Sequence, residues 1–179
     1  MANDLLQNPS IEVRDQLLSQ RTEDGHWVGQ LSASALSTAT AISTFSFYLE
    51  SKPENSNAVD LDQMRDQVDG GIAWLMTQQN EDGGWGDTPK NYSNISTTML
   101  GIAALHAAGK ANDFSNEVTQ AERYVESQGG ISGLRKRYGR DKTFAVPILA
   151  NCAMAGSFHG VRFRHCHSKR LSCRSVFIT

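Results

Sequence analysis

Apolar side chains recur along this chain at helical spacing. From Leu61 they fall at Met64, Val68, Ile72 and Leu75, three and four residues apart, which places them on one helix face. Asp60 stands where that helix needs an N-cap. The stretches Ser34–Leu49 and Ser93–Ala108 are alanine-rich and suit closely packed helices, and Gly109 is placed to stop the second. Glu117–Ser127 and Thr143–Ala155 complete the set, with Pro147 marking a kink or the start of the last helix. No run alternates with the period of a strand. The pattern predicts an all-α chain.

The helices are joined by a repeated turn. Leu17-Leu18-Ser19-Gln20-Arg21-Thr22-Glu23-Asp24-Gly25-His26-Trp27 matches Leu75-Met76-Thr77-Gln78-Gln79-Asn80-Glu81-Asp82-Gly83-Gly84-Trp85, 58 positions later. Similarity resumes past the tryptophans at an offset of 59, where Ser34-Ala35-Leu36-Ser37-Thr38 faces Ser93-Asn94-Ile95-Ser96-Thr97. Tyr124–Gly130 reads as an eroded third copy. A period of this length holds one helix pair with its connections. It predicts antiparallel pairs stacked side by side, part of an α/α barrel or toroid.

Each residue of the turn has a physical job. Asp-Gly favours a tight turn, because glycine takes positive φ freely. A glutamine amide both donates and accepts, so it can satisfy the free backbone groups at a helix end. Tryptophan lays a large apolar plate over the turn. Gln20, Asp24, Gly25 and Trp27, with Gln79, Asp82, Gly83 and Trp85, are therefore expected to hold the fold and to touch no substrate.

Composition adds little to this picture. The chain has 179 residues, 39% of them hydrophobic, and a net charge of −2. Nothing in it points to nucleic acid. Met1–Asp15 has neither the basic nor the apolar segment of a secretion signal. No apolar run approaches the roughly 20 residues of a membrane span. Three cysteines, Cys152, Cys166 and Cys173, fit a reducing cytoplasm better than a disulfide framework. Charge does separate the end of the chain from the rest. Residues 157–179 carry five Lys or Arg and no acid, against twelve basic and nineteen acidic residues before them.

The pattern Gln-x-x-x-x-Gly-x-Trp behind an apolar helix resembles the glutamine–tryptophan repeat of triterpene cyclases. Gln79–Trp85 fits its tighter form, and Gln20 lies one residue further back. Asp24-Gly25-His26-Trp27, Ser96-Thr97-Thr98 and Glu126-Ser127-Gln128-Gly129-Gly130-Ile131 look like the N-terminal part of squalene–hopene cyclases, in the same order. The resemblance covers about residues 10–156. It implies a partial N-terminal helical-barrel domain, 1–156, of a two-barrel isomerase. Such an enzyme closes a linear, squalene-like polyene to a polycyclic triterpene. It needs no cofactor or metal, and its full-length form is implied to be a cytoplasmic homodimer resting on the inner membrane.

By the same resemblance, the reaction starts when an Asp-x-Asp-Asp motif of the C-terminal barrel protonates a terminal double bond, and aromatic faces then stabilise the cations. This chain contains no such motif. Asp60-Leu61-Asp62 is the nearest approach, and a capping role is the reading for it. An acid that protonates an alkene needs a preorganised site that tunes its pKa, which one exposed carboxylate pair does not provide. Trp74 sits on an apolar helix face; Phe45, Phe47 and Tyr48 could face a cavity, but a helical apolar stripe is more often core. No catalytic residue is therefore assigned here.

The tail offers His165, Cys166, His167 and Cys173 as metal ligands, but adjacent residues rarely converge on one ion. A frame shift fits it better. In the resembling family this last helix is followed by a Trp and a Leu-Pro-Phe-Glu stretch. Read one base out of register, the codons of residues 158–169 permit Trp and then Pro-Leu-Pro-Phe-Glu, and His165–Cys166 can give only Leu. Residues 157–179 are thus expected to be a basic, frame-shifted or disordered tail. Two other readings of residues 1–156 stand beside the cyclase. One is a protein prenyltransferase β-subunit-like barrel, for whose zinc Cys152 and His106 are the candidates. The other is a non-catalytic helical-repeat binding module.

Overall fold

The computed structural model describes residues 4–29, 31–51 and 60–157. The tail beyond Ser157 lies outside the described residues, and with it both the His165–Cys173 metal reading and the frame-shift reading. Among the described residues every regular element is a helix, as the pattern predicts. None of those helices is long and apolar enough to cross a membrane. The chain divides into two compact units, Met1–Ser32 and Ala33–Thr179.

The first unit is α1 (Asp4–Ser19) and the turn that follows it. The periodicity argument does not single out α1. Ile11, Val13, Leu17 and Leu18 on this helix are all exposed.

The second unit runs α2 (Ala35–Glu50), α3 (Leu61–Met76), α4 (Ile95–Ala107), α5 (Ser115–Ser127), α6 (Gly130–Tyr138) and α7 (Ala145–Met154). Helix starts are set by short polar side chains. Ser34 caps α2 through Ser37 N, Asp60 caps α3 through Asp62 N and Gln63 N, and Asn94 caps α4 through Thr97 N. Asp60 thus has the expected capping role, and Asp62 pairs with Arg65 at 2.6 Å in the open. At the end of α4, Gly109 takes φ 69°, and Lys110 N bonds Leu105 O at 2.8 Å, the closing bond of a left-handed helix stop. Pro147 sits in the first turn of α7, where its missing N–H costs nothing.

Helix α4 is the centre of this unit, with every residue from Ile95 to Leu105 buried. It packs against α2, α5, α6 and α7, and α3 packs on α2. The small residues Gly101, Ala103 and Ala104 let these neighbours approach closely. Asp87 fixes the direction of the bundle. Its carbonyl accepts from Ala35 N at the start of α2, and its carboxylate accepts from Asn94 Nδ2 at 2.8 Å and from the Thr97 hydroxyl in the first turn of α4. Helices α2 and α4 therefore begin at the same end and run side by side. The last turn of α3 lies at that end too, since Leu75 O accepts from the Trp85 indole beside α4. Helix α3 thus runs opposite to α2 and α4.

Helix α6 is absent from the periodicity prediction, whose eroded third copy ends at Gly130, where this helix begins. Its sequence, with glycine at 130 and 133 and three consecutive cations, Arg135-Lys136-Arg137, offers one buried anchor, Leu134. Helix α6 packs against α4, α5 and α7, and Leu134 joins the core.

Candidate functional site

The two Gln–Trp turns are built alike. In the first, Thr22 N bonds His26 O at 2.8 Å and Gly25 N bonds Thr22 O at 3.0 Å. In the second, Asn80 N bonds Gly84 O at 2.9 Å and Gly83 N bonds Asn80 O at 2.9 Å. Gly25 and Gly83 take φ 86° and 84°, the left-handed region that only glycine enters freely. Each indole N–H donates ten residues back into the preceding helix, Trp27 to Leu17 O at 2.6 Å and Trp85 to Leu75 O at 2.9 Å.

The second turn is the anchored one. Gln79 Nε2 donates to Gly83 O at 2.8 Å and to Glu117 O at 2.9 Å, closing the turn and tying it to α5. Asp82 accepts from Gly84 N at 3.0 Å and from the Ser93 hydroxyl at 2.6 Å. Asn80 Nδ2 also donates to Ser93 Oγ, at 2.9 Å. Trp85 is fully buried; its N–H goes to the Thr98 hydroxyl and its carbonyl accepts from Asn94 N. Gly101 makes the slot for the ring, since a Cβ there would stand 3.0 Å from Trp85 Cε3. Every polar group of this turn named above has a partner within the protein.

The first turn departs from this in two ways. Arg21, not Gln20, holds its carbonyl: Arg21 Nε donates to Gly25 O at 2.7 Å, as Gln79 does to Gly83, and its guanidinium lies over the Trp27 ring. Gln20 is exposed, and so is Asp24. The offset of 58 pairs Arg21 with Gln79, so the aligned position carries the bond whatever its residue type. Trp27 is 46% exposed. At the offset of 59, Thr98 and Gly101 are matched by Ala39 and Ile42, which bring neither a hydroxyl nor a slot.

Asp87, which bridges the helix starts, escapes the motif reading; Asn94 and Thr97 lie within its Ser93–Thr97 segment, which assigns them no role. Cys152 and His106 stand apart in character. The Cys152 thiol is buried, donates to Met99 O at 3.7 Å, and burial pushes its pKa up to about 12. His106 keeps a buried, unpartnered Nε2. Among the described residues, no three His, Cys, Asp or Glu side chains come together as a metal group. Phe45 and Trp74 are half-buried against the core.

Burial also lowers the His106 pKa, an effect Glu122 partly offsets. The folded state therefore disfavours the proton that the unfolded chain accepts near pH 6.5. Stability should be full above that pH and fall as the pH drops through it. Urea midpoints at pH 7.5 and 5.5 should show this loss, and His106→Gln should make it smaller.

Residues 11–136, more than half of the chain, match the squalene-hopene cyclase N-terminal domain. The chain belongs to the squalene-hopene cyclase family. Over 110 residues it is 31% identical to a squalene hopane cyclase of Aspergillus fumigatus, covering 62% of this chain and 13% of that protein. It is 31% identical over 134 residues to the squalene–hopene cyclase of Zymomonas mobilis, covering 68% of this chain and 18% of the relative. Enfumafungin synthase of Hormonema carpetanum is 31% identical over 121 residues, covering 68% of this chain and 8% of its own length. The chain thus spans less than a fifth of the relatives it matches. No solved structure matches it. As a member of this family, the chain has the α/α toroid class of fold that its repeats predict.

Proposed function

We propose that this chain is a scaffold segment of a triterpene cyclase, an isomerase that folds a linear, squalene-like polyene and closes it to a polycyclic product, and that these 179 residues alone do not perform the reaction. The observation that carries the reading is the second Gln–Trp turn. Gln79, Asp82 and Trp85 spend their polar groups on the protein itself, which leaves them the role of a joint between helices. The family match supplies the parent chemistry, and the sequence contains no Asp-x-Asp-Asp. Cyclisation needs an acid, a water-free cavity and a pre-folded substrate. We place the parent in the cytoplasm, against the inner membrane as a homodimer, and the support for that is the family resemblance alone.

Sequencing the gene past codon 156 tests the parent reading. The expected result is a continuing frame, one base out of register, that encodes Trp, then Leu-Pro-Phe-Glu, and later Asp-x-Asp-Asp. Stop codons in all three frames within a short distance would remove the parent. A zinc site encoded downstream, in place of the acid motif, would favour the prenyltransferase-like barrel.

A further inference from the structure

The charges of residues 1–156 are segregated. Between Ser127 and Ser157 there are five cations, Arg135, Lys136, Arg137, Arg140 and Lys142, against the single acid Asp141. The hydroxyl and backbone N–H of Thr143 occupy the Asp141 carboxylate. None of the five cations makes an ion pair among the described residues.

Two of them, Lys136 and Arg137, line an open cleft of about 440 Å³ with Ser93, Asn94, Tyr124 and Gln128. The start of α4 lines the cleft through Asn94 and Ile95. The Asp87 carboxylate already sits at that helix start, accepting from Asn94 Nδ2 and the Thr97 hydroxyl, so the positive charge of the cleft is that of Lys136 and Arg137. A side-chain amide, Gln128, lines the cleft as well. Gly133 completes the lining with Ile95. One carboxylate is close enough to affect Tyr124, that of Asp82, and it already accepts from Gly84 N and the Ser93 hydroxyl.

We propose that this cleft binds a phosphate-bearing group, with Lys136 and Arg137 as its charge partners. A phosphate offers several oxygens and one to two negative charges. It matches a guanidinium fork and an ammonium point charge together. The inference stands independently of the cyclase reading, since it uses none of the Gln–Trp machinery as ligand. The phosphate is carried either by a soluble ligand or by a lipid headgroup.

The test is calorimetric titration of the full 179-residue chain with inorganic diphosphate at low salt. Saturable one-to-one binding is expected. The double variant Lys136→Gln/Arg137→Gln should weaken it by about tenfold or more, since both charge-assisted contacts go. Arg135→Gln/Arg140→Gln removes the same charge outside the cleft and should weaken it by less than about threefold. In the unaltered chain, diphosphate should also shield Lys136 from acetic anhydride more than it shields Lys142, read by mass spectrometry. Absence of binding above a chloride control, equal loss in the two double variants, or equal labelling of both lysines would overturn the proposal. Sedimentation with phosphatidylglycerol vesicles, reversed by diphosphate and absent with phosphatidylcholine, assigns the phosphate to a lipid. Diphosphate binding without sedimentation assigns it to a soluble ligand.

Discussion

Trp85→Ala should destabilise the chain by about 3–5 kcal/mol, the usual loss when a buried tryptophan is cut to alanine. The side chain is fully buried in the slot left by Gly101, so its removal opens a cavity beside the central helix. The Leu75 carbonyl also loses its indole donor at the end of α3. In a chain of this length the loss corresponds to a fall of roughly 6–20 °C in the thermal midpoint. Trp27→Ala is the internal control. It occupies the same place in the other repeat and makes the same backbone bond, but its ring is half exposed. Its substitution should cost less than half as much. Equal losses at the two sites would mean that burial is not what distinguishes the two turns.

Gly133→Ala should be nearly as damaging, although it adds one methyl group to a surface helix. A Cβ at Gly133 would stand 1.9 Å from the Gln128 carbonyl oxygen and 2.8 Å from its carbon. Both are backbone atoms at the end of α5, so no side chain can swing aside. Helix α6 would have to lift away from α5, and Leu134, its buried anchor, would leave the core with it. The expected cost is at or above the top of the about 1–3 kcal/mol typical of overpacking. Gly70→Ala gives the opposite sign. Gly70 lies in the middle of α3 with nothing within 4 Å of the added carbon, so the change should stabilise by roughly 0.4–1 kcal/mol through the unfolded chain. Urea unfolding of the three proteins side by side measures both effects. A Gly133→Ala midpoint equal to that of the parent chain would contradict the packing of α6 on α5.

These two residues also show what the sequence could and could not display. Trp85 was legible because it belongs to a repeat, and a repeat makes a single tryptophan comparable with its equivalent. The helix start at Leu61 was legible through Asp60 before it, whereas the alanine-rich stretches read from Ser34 and Ser93 begin at Ala35 and Ile95, with Ser34 and Asn94 as their caps. Gly133 was not legible, since a glycine in a helix shows its purpose only when the backbone that approaches it is known. Helix α6 was hidden for a related reason: glycines and cations give no helical period, and the helix packs on α4, α5 and α7. The exchange of roles between Gln20 and Arg21 was hidden by residue type. A motif search looks for glutamine, whereas the turn needs only a donor that reaches the glycine carbonyl. Asp87 joins two helices through a carbonyl and a carboxylate, and a lone Asp in a loop has no sequence signature for that.

The claim that this chain is scaffold and not catalyst is tested most directly by incubating the purified 179-residue protein with squalene and analysing the extract by gas chromatography. The account predicts no cyclic product above a no-protein control, because the chain holds no Asp-x-Asp-Asp acid and its Gln–Trp turn is occupied with its own fold. A polycyclic product that forms in proportion to protein and time, and disappears on heat denaturation, would show that the chemistry resides in these residues and would contradict it.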